Sequence, residues 1–185
     1  MVKSNRTFKL AALGSASAND TSPGWEKAVR IGKAVGARGE VLLTGACPGF
    51  PYAATLGANS AGGLTVGISP AMNRDDHATI YSYPLESRIT LFTGMGAKGR
   101  NVILIRSADA CVFIGGGMGT LNEFTIACAD LGPNCAIGIL TETGGFSDEF
   151  LRLVDLSGKS PSASLFAESD PEMLVEKLLR HIARQ

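Results

Sequence analysis

The stretch Ala110-Cys111-Val112-Phe113-Ile114-Gly115-Gly116-Gly117-Met118-Gly119-Thr120 decides the fold. Its first five residues are an unbroken apolar run of strand length, and four glycines in the next five residues end it. From Thr120 to Asp130 the spacing of Leu121, Phe124 and Cys128 then puts apolar side chains on one helical face. A strand, a glycine turn and an amphipathic helix make one repeat of a parallel sheet covered by helices.

The same alternation extends in both directions. Upstream, strands are predicted over Phe8–Leu13, Val41–Thr44 and Leu64–Ile68, with helices from Pro23 and Trp25 to Ala37 and from Pro51 to Ala61. Residues 69–93 break the rhythm with Pro70, Asn73, Asp75, Asp76, His77 and Pro84 before a short strand at Ile89–Phe92. A connection of that length in a compact domain points to function. Residues 99–108 carry strand-favouring Val102, Ile103, Leu104 and Ile105, yet a parallel crossover requires a helix there. Downstream come strands at Cys135–Leu140 and Ala163–Phe166 and helices at Asp148–Val154 and Pro171–Ala183. The last has Asp170 as its cap and Met173, Leu174, Leu178 and Ile182 as its apolar stripe. The pattern predicts an α/β fold, a Rossmann-like doubly wound parallel sheet flanked by helices, with residues 1–185 as a single domain.

Composition narrows the function classes. Charged residues are 18% of the chain and the formal net charge is zero, which argues against nucleic acid as a partner. No apolar run reaches the roughly 20 residues of a membrane span, and Met1–Arg6 leads into a strand rather than a secretion signal. A cytoplasmic protein without membrane association is expected. Cys47, Cys111, Cys128 and Cys135 form no Cys-x-x-Cys pair and the histidines are His77 and His181, so no metal site is expected. The cysteines read as buried, reduced small side chains.

Three strands end in glycine at what a parallel sheet makes a common edge: Gly14-Ser15, Gly45 and Gly115-Gly116-Gly117-Met118-Gly119-Thr120. These glycines could simply make tight turns. Their density between an apolar strand and an amphipathic helix favours anion binding, with helix amides and the Thr120 hydroxyl as donors. Neither the Walker A pattern nor Gly-x-Gly-x-x-Gly fits the run, because no Lys follows it and the spacing differs.

Gly116-Gly117-Met118-Gly119-Thr120-Leu121-Asn122-Glu123 resembles the Pro-Gly-Gly-x-Gly-Thr-x-x-Glu signature of the LOG ("Lonely Guy") family, whose members are often mislabelled as lysine decarboxylases. Gly14-Ser15, the loop Gly45–Gly49 and Gly62-Gly63-Leu64-Thr65-Val66-Gly67-Ile68-Ser69-Pro70 are similar to further family segments in the same order. Arg100, nine residues before Asp109, matches the family's functional Arg. The resemblance covers about residues 8–155.

It implies a phosphoribohydrolase that cleaves the N-glycosidic bond of a nucleoside 5′-monophosphate, cytokinin-type or ordinary, to base and ribose 5-phosphate. Arg100 and Glu123 would be the catalytic pair. A carboxylate at Glu123 suits the oxocarbenium-like charge at C1′, and Arg100 brings a planar fork of donors. Gly14, Ser15, Gly45, Asn101 and Gly115 to Thr120, Met118 included, would hold the phosphate and nucleotide. Read without the family, Glu123 is an acid favoured by the dipole in a first helical turn, and Arg100 an ordinary surface residue.

The chain also departs from the family. Gly115 replaces the leading proline, Asn101 stands where Lys is usual, and Thr44-Gly45-Ala46-Cys47-Pro48-Gly49-Phe50-Pro51-Tyr52 replaces the usual glycine-rich loop. These changes point to a divergent branch. The alternative is therefore a non-catalytic binder or carrier of a phosphorylated ligand, such as a nucleotide or the molybdenum cofactor. No resident cofactor is expected; a pyridoxal-phosphate decarboxylase would need a Schiff-base Lys with its partners, and Lys98 is the sole Lys near the site. The resemblance further implies a homodimer or higher homo-oligomer, with helices near Arg100 and Glu123 contributing to the contact.

Overall fold

In the computed structural model, which describes residues 6–184, the apolar run Ala110–Ile114 is the central strand β5, numbered in chain order, and all five of its residues are buried. It lies between β1 (Lys9–Gly14) and β6 (Ala136–Leu140). Beyond β1 come β2 (Val41–Thr44), β3 (Leu64–Ser69) and β4 (Ile89–Phe92), and beyond β6 comes β7 (Ser164–Glu168). All pairings are parallel, and the order is β4-β3-β2-β1-β5-β6-β7. Helices cover both faces, which is why the inner strands are apolar throughout rather than alternating.

One face packs Leu10, Leu42, Val112 and Leu140 against α1 (Trp25–Gly36), α2 (Phe50–Ser60) and α7 (Pro171–Ile182). On the other, Leu13, Leu43, Phe113 and Ile139 meet α4 (Gly96–Ser107), α5 (Met118–Asp130) and α6 (Phe150–Ser157). Phe124 of α5 stacks on Phe150 of α6 at 4.0 Å, and both meet Phe113 edge-on. α1 and α2 approach backbone to backbone: a Cβ on Gly32 would stand 1.8 Å from the Ala54 carbonyl oxygen, and one on Gly57 2.0 Å from that of Val29. The seven strands and seven helices of the described residues form one doubly wound domain. No helix among them is long and apolar enough to cross a membrane.

Several elements differ from their predicted bounds. α5 begins at Met118, because Gly117 takes the N-cap position and Gly119 adopts helical geometry; the glycine turn shortens accordingly. Residues 99–107 are helical within α4, whose C-cap Ala108 is already extended, so the crossover overrides strand propensity. The segment 69–93 contains a helix, α3 (Arg74–Thr79), whose start is capped by the Asn73 side chain accepting from the Asp76 N–H. The helix expected from Asp148 is a 3-10 turn at Gly145–Glu149 followed by α6, which ends on left-handed Gly158. Asp170 caps α7 as expected by accepting from the Met173 N–H, but Met173 itself is half exposed and Val175 takes its place in the buried stripe. Cys128 and Cys135 are only half-buried, unlike Cys47 and Cys111, and all four are free thiols. Met1–Asn5 of the expected N-terminal lead lie outside the described residues.

Candidate functional site

The sheet reverses its winding between β1 and β5, so the loops leaving these neighbouring strands diverge to opposite faces and open a crevice at their carboxyl ends. Gly14 pairs with Ile114 at that edge, and a Cβ on Gly14 would stand 2.3 Å from the Ile114 carbonyl oxygen. Only glycine allows the two strand ends to lie so close. Ser15 follows it; its carbonyl oxygen accepts from the Phe50 N–H and its hydroxyl meets that of Ser17 at 2.9 Å.

Across the crevice, Gly115 and Gly116 have φ of 53° and 98°, left-handed values that favour glycine. The Gly115 N–H donates to Thr143 Oγ1 at 2.9 Å, and the Gly116 carbonyl accepts from the Phe146 N–H at 2.9 Å. The β6–α6 loop thus clamps the turn from behind. A Cβ on Gly116 would stand 2.1 Å from Thr120 Oγ1, so the turn folds directly onto the buried Thr120 side chain. Gly117, Met118 and Gly119 are exposed, the α5 N-cap carries no side-chain hydrogen bond, and no acid sits in its first turn. The first amides of this 13-residue helix therefore lack partners within it, with the positive end of the dipole behind them.

The side of α5 toward α4 carries the charged centre. Arg100 and Glu123 are 4% and 8% exposed, and Arg100 Nη1 donates to Glu123 Oε1 at 3.4 Å. Arg100 Nε is buried without a partner. A buried guanidinium normally has most of its five donors engaged, so this one is under-satisfied. Burial pushes the Glu123 carboxyl up to about 7, against the opposing pull of Arg100 and Lys98. The carboxyl therefore exchanges its proton near neutrality.

Gly45 explains how the guanidinium fits. A Cβ there would stand 2.4 Å from Arg100 Nη1, so the planar group lies flat on the β2 turn. The next residue, Ala46, holds a left-handed φ of 51° without being glycine, a strained conformation of the kind that gathers at functional sites. Cys47 follows, 7% exposed, its thiol pushed up to about 11 by burial despite the nearby Arg100. It stays protonated at neutral pH, as a weak donor rather than a nucleophile. Tyr83 completes the wall: burial raises its hydroxyl, Cys47 adds to the rise and Arg100 opposes it.

Tyr83 is delivered by the 69–93 segment, which His77 organises. The fully buried His77 ring donates from Nε2 to the Pro84 carbonyl at 3.1 Å, and its Nδ1 meets the Ser69 hydroxyl at 2.8 Å, which itself accepts from the Ala71 N–H. Tyr83 and Phe92 pack edge-on against the ring. The segment is thus ordered around one imidazole.

Of the residues singled out in the sequence, Arg100, Glu123 and Gly45 meet in one cluster, and Gly115 to Thr120 form the neighbouring turn. Met118 is 69% exposed at the start of α5. The Asn101 amide donates to Asn122 Oδ1 at 2.9 Å, bracing α4 against α5 beside Glu123. The sequence reading missed Cys47 and Tyr83 as neighbours of Arg100, and Thr143 as the anchor of the turn. Only the position of Cys47, just past a strand-end glycine, could have flagged it. A mostly apolar cleft of about 560 Å³ lies elsewhere, between α5, α6 and residues 157–162; it carries Lys159 at its edge and none of the groups above.

A protein-family model described as the SLOG cluster4 family matches residues 7–160. An uncharacterised protein of Archaeoglobus fulgidus is 32% identical over 122 residues, 66% of this chain and 74% of that protein. Among solved structures, the molybdenum cofactor binding protein of Rippkaea orientalis is 28% identical with a TM-score of 0.73, over 97% of this chain and 99% of that one. The molybdenum cofactor carrier protein of Chlamydomonas reinhardtii has a TM-score of 0.72 at 23% identity, over 95% and 99%. DNA processing protein A of Helicobacter pylori, described with a single-stranded DNA binding mode, has 0.64 at 14%, over 94% and 80%. The last two likenesses establish the fold alone.

Proposed function

From the premise that the chain belongs to the SLOG cluster4 family, in the superfamily that includes LOG-like proteins, we propose that it binds a nucleoside 5′-monophosphate and hydrolyses its N-glycosidic bond. The observation that carries this reading is the buried Arg100–Glu123 pair beside the glycine turn. The amides at the start of α5 and Thr120 hold the phosphate, with Gly14, Ser15 and Asn101 at the flanks. Binding energy collected there positions a bond that the turn itself does not touch. As the C1′–N bond breaks, positive charge develops on the ribose and the leaving base takes up a proton from solvent, which is returned when Glu123 releases the proton it takes from the attacking water. Water then bonds to C1′. Glu123, with a proton affinity near neutrality, suits acceptance of the water's proton and stabilisation of the cationic sugar. Arg100 keeps that carboxyl oriented.

The test is incubation with AMP, GMP, CMP, UMP and isopentenyl-AMP while free base is followed. Base release from at least one, lost in Glu123→Ala, is the expected result. Release at the parent rate in Glu123→Ala removes the role given to Glu123, and no release from any removes hydrolysis of these substrates. A second reading, a carrier of a phosphorylated pterin such as the molybdenum cofactor, draws on the likeness to the Rippkaea orientalis protein. Co-purification of a pterin, seen by its fluorescence, together with absent base release would select it.

A further inference from the structure

α4 and α5 face each other as a two-rung ladder. On α5, Gly119 and Glu123 are four residues apart and share one side of the helix. On α4, Lys98 and Arg100 reach toward that side. The inner rung is an ion pair, Arg100 to Glu123. At the outer rung a Cβ on Gly119 would stand 4.0 Å from Lys98 Nζ, so the ammonium meets helix backbone where Arg100 meets a carboxylate. Lys98 is exposed, and among the described residues it makes neither an ion pair nor a hydrogen bond.

Charge counting at this end of the molecule leads further. Lys98, Arg100 and the positive end of α5 converge around the Glu123 carboxylate. The whole chain carries 17 Lys and Arg against 17 Asp and Glu, so the surplus here is local and is matched by negative charge elsewhere. Arg100, with its unpartnered Nε, marks the same place as short of negative charge.

We propose that Lys98 is the cation that closes over the ligand phosphate at Gly119, and that it makes this site select a phosphomonoester dianion over a singly charged phosphodiester. The inference rests on the phosphate reading above and adds a residue and a charge requirement to it. Lys98 reaches the phosphate from α4 while the α5 amides hold it from below. A diester, as in a nucleic-acid backbone, brings one negative charge and a substituent on the oxygen that Lys98 would take. The long, flexible stem lets the ammonium follow the phosphate in and out, which a rigid buried group could not do.

The experiment is calorimetric titration at low salt of the full chain with AMP, ribose 5-phosphate, the methyl phosphodiester of AMP and an oligothymidylate. Wild type should bind the monoesters about tenfold more tightly than the methyl diester, the worth of one charge-assisted bond. Lys98→Ala should weaken AMP and ribose 5-phosphate by about tenfold, shrink the gap to the diester and leave the melting temperature unchanged, whereas Lys98→Arg should retain most of the affinity. Equal losses for monoester and diester in Lys98→Ala, no loss at all, a lowered melting temperature, or tighter binding of oligothymidylate than AMP would each overturn the proposal while the phosphate site stands. Absence of any binding by wild type overturns the phosphate reading and this inference together.

Discussion

Glu123 is the residue whose environment departs furthest from what its sequence position implies. The sequence placed it in a first helical turn as a solvated acid that favours the dipole, but α5 begins at Met118, so Glu123 lies in the second turn, 8% exposed and pushed up to about 7. In the unfolded chain it would lose its proton near pH ~4.3. Between those values the folded protein holds the proton and the unfolded one does not. The stability Glu123 contributes is thus fully present below about pH 4.3 and drains away as pH rises toward 7. Chemical denaturation of wild type and Glu123→Gln between pH 5 and pH 8 should therefore show the wild-type advantage shrinking steadily. A difference that is flat or grows with pH would place the carboxyl in a solvated setting. Arg100 and Glu123 were legible in the sequence through the family-like motif. Gly45 was legible as a strand-end glycine, but its reason was not, since only the fold lays Arg100 across it.

The elements that carry the site were legible wherever their signals were local. β5, its glycines and α5 are contiguous, so apolar run, turn and helical period all act within a few residues. What holds the turn in shape is not local. Thr143, in the loop after β6, accepts from the Gly115 N–H and donates its own hydroxyl to the Leu140 carbonyl at 2.8 Å. Thr143→Val leaves both backbone groups without that partner in a buried place, at a cost of about 1–3 kcal/mol. Urea denaturation should show that loss, and phosphate affinity should fall with it; an unchanged midpoint would mean the turn is held by other contacts. The 69–93 segment follows the same logic. Its short helix behind the Asn73 cap went unread in the sequence, and the burial of His77 among Ser69, Pro84, Tyr83 and Phe92 depends on how β3, α3 and β4 come together.

At the scale of the whole molecule, the family resemblance implies a homodimer formed near α4 and α5, and some large apolar side chains of that region do lie exposed, Leu91 at 51% and Met95 at 56%. Light scattering should return about twice the chain mass of 19.2 kDa; a single-chain mass across the micromolar range would remove the dimer. The sequence by itself determined the layered α/β architecture, because strand and helix periods are properties of neighbouring residues and parallel strands need helical crossovers. It also determined which strand ends carry glycine. Only the tertiary structure decided that these ends meet at the reversal between β1 and β5. It alone put Arg100 on Gly45, Cys47 and Tyr83 beside it, and Lys98 over Gly119. Those residues come from separate stretches of chain, and no local pattern encodes their distances. Burial, which shifts the Glu123 proton and leaves Arg100 Nε without a partner, arises only when the helices close on the sheet.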